Sequence, residues 1–411
     1  MARVVITGMG AVAANGNGVQ TFIDNSMAGK IGIKPISKFD ASETGITVAG
    51  EIDDFDPQAV VGKKAAKRMD LYSQYAIQTA TEAMEMAGIT EENTNPEDLG
   101  VIYGSGIGGL TTIQEQIIKM HDKGPKRVSP MFVPMAIANM ASGNLSIRFN
   151  AQNISTTIVT ACASATNAIG EAFRQIKAGR AKAMLTGGAE ASVNEIGIAG
   201  FAALTALSTA TDPEKASLPF DIDRNGFVLG EGSATLVLED LDHAKARGAK
   251  ILGEVIGYGA TSDAFHITSP DPEGKGAARA MQQAINEAGI HPADVNYINA
   301  HGTATHANDE GESKAINQVF GQDSQVRVSS TKGMTGHLLG AAGAIEAVLT
   351  VAALHDGQLP ANIGCFNQDP ACDVNLVQLG DQDAPEATYA ISNSFGFGGH
   401  NAVLAFKKWS D

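Results

Sequence analysis

STTIVTACASATNAIGEAF, residues 155–173, decides how this chain folds. Its β-branched start (Thr156, Thr157, Ile158, Val159, Thr160) predicts a buried strand. The run stops at Ala161-Cys162-Ala163-Ser164-Ala165, after which Ala168, Ile169, Ala172, Phe173 and Ile176 mark one apolar face of a helix. Strand passing at once into helix is the unit of a layered α/β protein. The cysteine at the joint meets unpaired N–H groups and a partial positive charge. A thiol there ionises below its ordinary pKa of about 8.5. Filling a small core site is the other common use of a free cysteine.

The unit recurs. AIQTATEAMEMAGITEENTNPEDLGVIYGSGIGG (76–109) and AARAMQQAINEAGIHPADVNYINAHGTAT (277–305) each read helix, Ala-Gly-Ile, short link, strand, Gly-containing turn. Downstream, 155–179 resembles 328–357 in the same order. A long unit present twice predicts two duplicated α/β halves, 1–248 and 249–411, building a layered α-β-α-β-α arrangement. The first half carries extra residues near 37–70 and 109–150, expected to form caps, pocket walls or subunit contacts.

With 411 residues and 44% hydrophobic content there is ample material for a large core. A formal net charge of −16 argues against nucleic acid and anionic membranes as partners. No apolar run is expected to cross a bilayer, and MARVVITGMGAV is too short and glycine-rich for a secretory signal. Three cysteines (Cys162, Cys365, Cys372) do not make a disulfide framework, so a soluble cytoplasmic protein with free thiols is expected.

Other reactive side chains fall at similar joints. YINAHGTAT places His301 just past a strand, and VSSTKGMTGHLLGAAGAIEAV places Lys332 past another, with His337 at a helix start. Strand carboxyl ends form the ligand crevice of open α/β sheets, and a duplicated fold brings both sets toward one cavity. A metal site at His301, His306 and Asp309 is the rival, disfavoured because HGTATHAND lacks helical His spacing. Gly8, Gly10 and Ala13 imitate a dinucleotide fingerprint, but Asn15-Gly16-Asn17-Gly18 breaks the required helix, so a tight turn is expected. In ISNSFGFGGHNAVLAF, glycines around Phe397 join two strands and permit close backbone approach to a ligand.

Together TACASA, NAHGTAT, STKGMTGHLLGAAGAIE and NSFGFGGHN resemble, in that order, the β-ketoacyl-acyl carrier protein synthases of the condensing-enzyme, thiolase-like superfamily. The likeness spans essentially the whole chain, including PFDIDRNGFVLGEGSA and ATSDAFHITSPDP, and is closest to the synthase II type of bacterial fatty-acid synthesis. It implies a thiolase-like fold and decarboxylative condensation of a malonyl unit with an acyl chain held on Cys162. It implies His301, His337 and Lys332 as catalytic partners, and Phe397 as gate and oxyanion donor. Thr303 and Thr305 would hold the phosphopantetheine arm, Ile107 would line the acyl pocket, and Asp309 and Glu346 would be supporting carboxylates. His306 and His400 depart from the commonest family residues at their positions.

No cofactor is implied beyond the phosphopantetheine of acyl carrier protein, no catalytic metal, and a homodimer is expected. Docking an acidic carrier on an acidic enzyme needs a local basic patch, which Lys63, Lys64, Lys67, Arg68, Lys126 and Arg127 supply. A thiolase, a polyketide-type ketosynthase and a silent partner subunit that sets chain length are the competing readings. The retained Cys162 argues against the last.

Overall fold

The protein, a computed structural model, is described over residues 2–410. Its main sheet holds β1 (Val4–Ala13), β2 (Leu99–Gly104), β3 (Ser155–Ile158), β4 (Ala183–Glu190), β5 (Gly232–Asp240) and β6 (Gly253–Ser262). It continues with β7 (Tyr297–Asn299), β8 (Arg327–Ser329), β9 (Asn375–Leu376), β10 (Tyr389–Gly396) and β11 (His400–Lys408). The strand order is β9-β8-β7-β10-β11-β6-β1-β5-β4-β2-β3, with a short strand Gly16–Asn17 pairing beside β1.

One pattern is written twice in that order. In the first half β3, β2 and β4 run parallel, and β4, β5 and β1 alternate antiparallel. In the second half β8, β7 and β10 run parallel, and β10, β11 and β6 alternate. The halves join where Val4–Ile6 of β1 pairs antiparallel with Gly253–Val255 of β6.

Five helices complete the layers: α1 (Leu71–Ala87), α2 (Ser164–Lys177), α3 (Lys275–Ala288), α4 (His306–Phe320) and α5 (Ala342–Asp356). Helices α2 and α5 share one core with inward residues of both half-sheets, including Ile169, Phe173, Leu236, Ile345, Leu349 and Leu404. Helix α1 packs outside the first half, and α3 and α4 outside the second. The result is the expected α-β-α-β-α layering.

Three sequence expectations change at this point. The segment Leu339–Asp356 does have the length and mean hydropathy, 1.3, of a membrane span, but it is 89% buried inside the protein. Its apolar character runs all round because α5 lies between the two half-sheets. Gly8 and Gly10 lie within β1 rather than in a turn: a Cβ on either would sit 2.0 Å from a carbonyl oxygen of α1, at Ala83 and Thr79. Gly257 and Gly259 of β6 let α3 approach in the same way, the added Cβ meeting Ala284 and Ala280 oxygens at 2.1 and 1.9 Å. Finally, β3 is not buried but forms the outer edge of the sheet, with Ser155 and Thr156 exposed. Its β-branched residues record the preference for extended backbone, which an edge strand shares with a central one.

The 109–150 insertion folds into helices Leu110–Lys123, Phe132–Ala136 and Met140–Arg148 next to that edge. It leaves Ile117, Ile118, Val133 and Ile147 exposed.

Candidate active site

The turn Ala161–Ala163 delivers Cys162 to the amino end of α2. Ala161 is held at φ +51°, and the Ser164 hydroxyl tightens the turn by accepting from Thr160 N–H and donating to the Ala161 carbonyl. Residues in such sparsely populated backbone regions gather at functional sites. Gly396 makes room opposite, since a Cβ there would lie 2.7 Å from the Thr160 carbonyl and 3.1 Å from Cys162 N. The N–H groups of Phe397 and of Cys162 itself are directed at the sulfur.

The sulfur faces a cavity of about 390 Å³ that His301, His337, Thr303, Thr305 and Phe397 also line. Sγ and one nitrogen of each imidazole lie within 4.8 Å of one another. The two imidazoles meet edge to face with centroids 5.3 Å apart, backed by Phe227 and Phe395. No other trio of His, Cys and acidic groups among the described residues has metal-ligand spacing. Tetrahedral zinc would need these atoms drawn to about 3.5 Å and the thiol ionised. The rival set does not assemble: His306 is exposed on the first turn of α4, while buried Asp309 accepts from Phe220 N–H and faces Arg224.

The thiol departs from expectation. Burial pushes Cys162 up to about 12, against the lowering influence of Lys332 and the two N–H groups and with the Glu190 charge adding to the rise. A helix amino end does not offset the loss of water here. Both histidines are held well below the ordinary imidazole value by burial and by the Lys332 charge, His337 adding to the effect at His301. Both are therefore neutral near pH 7.

Lys332, 1% exposed, opens the short helix Lys332–Thr335 and contacts the Glu346 carboxylate, the His301 carbonyl and, at 3.4 Å, His301 Nδ1. An ammonium only donates, so Nδ1 is the acceptor and the imidazole proton sits on Nε2. His337 precedes the next helical turn rather than opening it, its N–H donating to Val228 at 2.7 Å and its carbonyl accepting from Gly230. The Thr303 and Thr305 hydroxyls are 2.9 Å apart on the cavity wall.

Other expected residues lie farther out. Ile107, 36% exposed, is not in that cavity wall; its N–H donates to Glu190. His400 faces a separate cavity with Thr160, Asn167 and Tyr258. Lys63, Lys64, Lys67, Arg68, Lys126 and Arg127 are all exposed on the insertions.

Two buried carboxylates went unread in the sequence. Glu312 accepts from His301 and Gly302 N–H, both at 2.8 Å, and so fixes the histidine backbone. Glu190 accepts from Gly106, Ile107 and Gly340 N–H at 2.7, 3.2 and 3.1 Å. Their signals were faint: Glu312 shares the buried stripe of α4 with Asp309 and Ile316, and Glu190 ends a strand buried throughout.

This geometry agrees with what the chain resembles. The model of the Beta-ketoacyl synthase N-terminal domain matches residues 1–244, and that of the C-terminal domain matches 252–366. The 3-oxoacyl-[acyl-carrier-protein] synthase 2 of Staphylococcus aureus (strain N315) is 49% identical over 408 residues, covering 99% of this chain and 98% of that protein. A β-ketoacyl synthase from Burkholderia phymatum superposes with a TM-score of 0.93 at 34% identity, over all of both chains. A type II polyketide ketosynthase in complex with its acyl-carrier protein, AntDE:AntF, gives 0.91 at 30%, covering 99% of this chain and 100% of that one. A cysteine between two neutral imidazoles, on a fold written twice, thus has close relatives along its whole length, and the chain belongs to the β-ketoacyl synthase family.

Proposed function

We infer that this chain is a β-ketoacyl-acyl carrier protein synthase of fatty-acid elongation. It joins an acyl chain on Cys162 to a malonyl unit on acyl carrier protein, giving a 3-oxoacyl carrier and CO₂. The observation that carries this is the Cys162 sulfur faced by two backbone N–H groups and two neutral imidazoles in one cavity. The 49% identity to a named synthase 2, against 30% to a polyketide ketosynthase, favours fatty-acid elongation over the polyketide reading.

In the first half-reaction Cys162 Sγ attacks the acyl thioester carbonyl, and the oxyanion rests on the N–H groups of Cys162 and Phe397. The thiol proton passes by way of a neutral imidazole to the departing pantetheine sulfur. In the second, the malonyl thioester oxygen accepts hydrogen bonds from His301 and His337. The C–C bond to the carboxylate breaks, CO₂ leaves, and the electron pair becomes an enolate held by those N–H groups. The enolate carbon attacks the acyl-Cys162 carbonyl, and collapse of that intermediate expels the cysteine sulfur, which regains a proton. The reaction balances without a further cofactor.

The pantetheine arm would run past Thr303 and Thr305. The acidic carrier would dock on Lys63, Lys64, Lys67, Arg68, Lys126 and Arg127, beside a groove floored by Met69, Met131 and Met140. A homodimer is supported by the unpaired outer edge of β3, flanked by Ile154 and Val159, 39% and 55% exposed. Open strand edges invite pairing with a second chain. Cytoplasmic residence, with free thiols, belongs to the same proposal.

The test is intact-protein mass spectrometry after mixing with octanoyl-acyl carrier protein and no malonyl donor. An octanoyl mass gain on Cys162, absent from Cys162→Ala, is expected. A folded enzyme that gains no mass would point to the silent partner subunit instead.

A further inference from the structure

Glu190 is a buried group that the mechanism above leaves unused. It is fully buried at the end of β4, and its oxygens receive Gly106, Ile107 and Gly340 N–H together with the Ser192 hydroxyl at 3.2 Å. Gly106 and Ile107 belong to the first half and follow β2, whereas Gly340 belongs to the second and lies three residues after His337. One carboxylate therefore clamps the loop bearing Ile107 to the turn bearing His337.

The clamp is closely fitted. A Cβ on Gly340 would lie 2.1 Å from Gly106 N and 2.8 Å from Glu190 Oε2, and one on Gly106 would lie 2.7 Å from the same oxygen. Leu339, held at φ +48°, lines the catalytic cavity between His337 and the clamp. Glu190 is also, with Lys332, one of the two charged groups that act on the Cys162 thiol; the neighbouring imidazoles are neutral.

We propose that Glu190 is a positioning residue for the condensation: its carboxylate fixes the His337 turn across the boundary between the halves. This rests on the function inferred above. Burial holds the carboxyl up to about 7, so its charge changes close to neutral pH and is felt at the thiol.

Two readouts separate this role from simple support of the fold. In Glu190→Gln the negative neighbour of the thiol is gone while the side-chain shape stays. The pH profile of Cys162 alkylation by iodoacetamide should move down by about one unit, giving about tenfold faster alkylation at pH 8. Decarboxylation of malonyl-acyl carrier protein should lose at least about tenfold in kcat with little change in KM, because a displaced His337 acts on the transition state. Should Glu190→Gln not fold, Glu190→Asp keeps the charge but withdraws the oxygens. Its alkylation profile should stay in place while decarboxylation falls. An unmoved alkylation profile in folded Glu190→Gln, or full decarboxylation in either variant, overturns the proposal. Alkylation needs no carrier, so failure of the broader functional reading would show separately, as unmodified Cys162 in the acylation assay.

Discussion

Replacing Lys332 with methionine removes one charge from the middle of the protein while keeping most of the side-chain volume. Lys332 and Glu346 are each 1% exposed, and the second oxygen of Glu346 has no hydrogen-bond partner in the protein. Removing one member of a buried pair strands the other, at a cost of about 3–5 kcal/mol. Burial already raises the Glu346 carboxyl, with Lys332 opposing that rise. Without the lysine its folded pKa climbs further above the unfolded value. The variant is then least impaired below the unfolded pKa and loses stability as pH rises through the folded one. The chemistry suffers separately, because His301 Nδ1 loses the donor that keeps its proton on Nε2. Loss of one aligned donor to a developing oxyanion costs about 10²–10³ in rate. The assay pairs urea unfolding with CO₂ release from malonyl-acyl carrier protein, for Lys332→Met, Glu346→Gln and the double variant. The double variant should regain most of the lost stability, since neither charge is then stranded, while decarboxylation stays low. Recovery of decarboxylation in the double variant, or a loss under about 1 kcal/mol in the single one, refutes the reasoning.

Four further outcomes follow from other parts of the molecule. His301 and His337 have folded pKa values below their unfolded ones, so their contribution is complete above the unfolded pKa and is lost as pH falls through the folded one. Urea titration should show about 1 kcal/mol lost per histidine between pH 6.5 and 5.5, a loss that His301→Asn with His337→Asn diminishes. Gly10→Ala places a Cβ 2.0 Å from the Thr79 carbonyl and should cost at least about 2 kcal/mol in urea unfolding. By contrast Gly200→Ala, in the helix Glu195–Ala203 with nothing within 4 Å, should be neutral or stabilising by up to about 1 kcal/mol. Charge reversal at Lys67 and Arg68, both exposed, should raise KM for carrier-borne substrates about tenfold at low salt and leave small thioesters unaffected in steady-state kinetics.

The reactive residues were legible because each sits where a local pattern changes: β-branched to small at Cys162, strand to glycine turn at His301, strand to short helix at Lys332. Such joints are written in neighbouring residues and survive whatever packs around them. The burial of β3 was misread because its composition fits an edge and a centre equally well. Gly8 and Gly10 were misread because their reason lies in α1, about 70 residues away in sequence, whose carbonyls close over them. The GMGA and GYGA of β1 and β6 were in plain sight as a further copy of the repeat, yet only the helices above them show what they do. Glu190 and Glu312 were invisible for a related cause. A carboxylate sits far more often on a solvated face than in a core, and only tertiary structure says which N–H groups a buried one meets.

The duplication also explains why six separated segments form one site. Three parallel strands of each half correspond, and within a half their carboxyl ends point the same way. Of these, β3 and β8 lead to Cys162 and Lys332; β2 and β7, next to them, lead to Ile107 and His301; and β4 and β10 lead to Glu190 and Phe397. Equivalent joints thus carry unlike residues. In the proposed mechanism the first half supplies the nucleophile and the Glu190 carboxylate, and the second the proton donors and the oxyanion N–H. The contrast is sharpest at β4 and β10. Forty-one residues separate β4 from β5, whereas β10 returns to β11 through a three-residue glycine turn that puts Phe397 N–H against the sulfur. A long connection there would leave that N–H without a fixed direction. By this logic, residues inserted between Gly398 and Gly399 should slow acylation of Cys162 by acyl-acyl carrier protein more than they reduce stability, and an equal loss of both would mean the hairpin serves the fold alone.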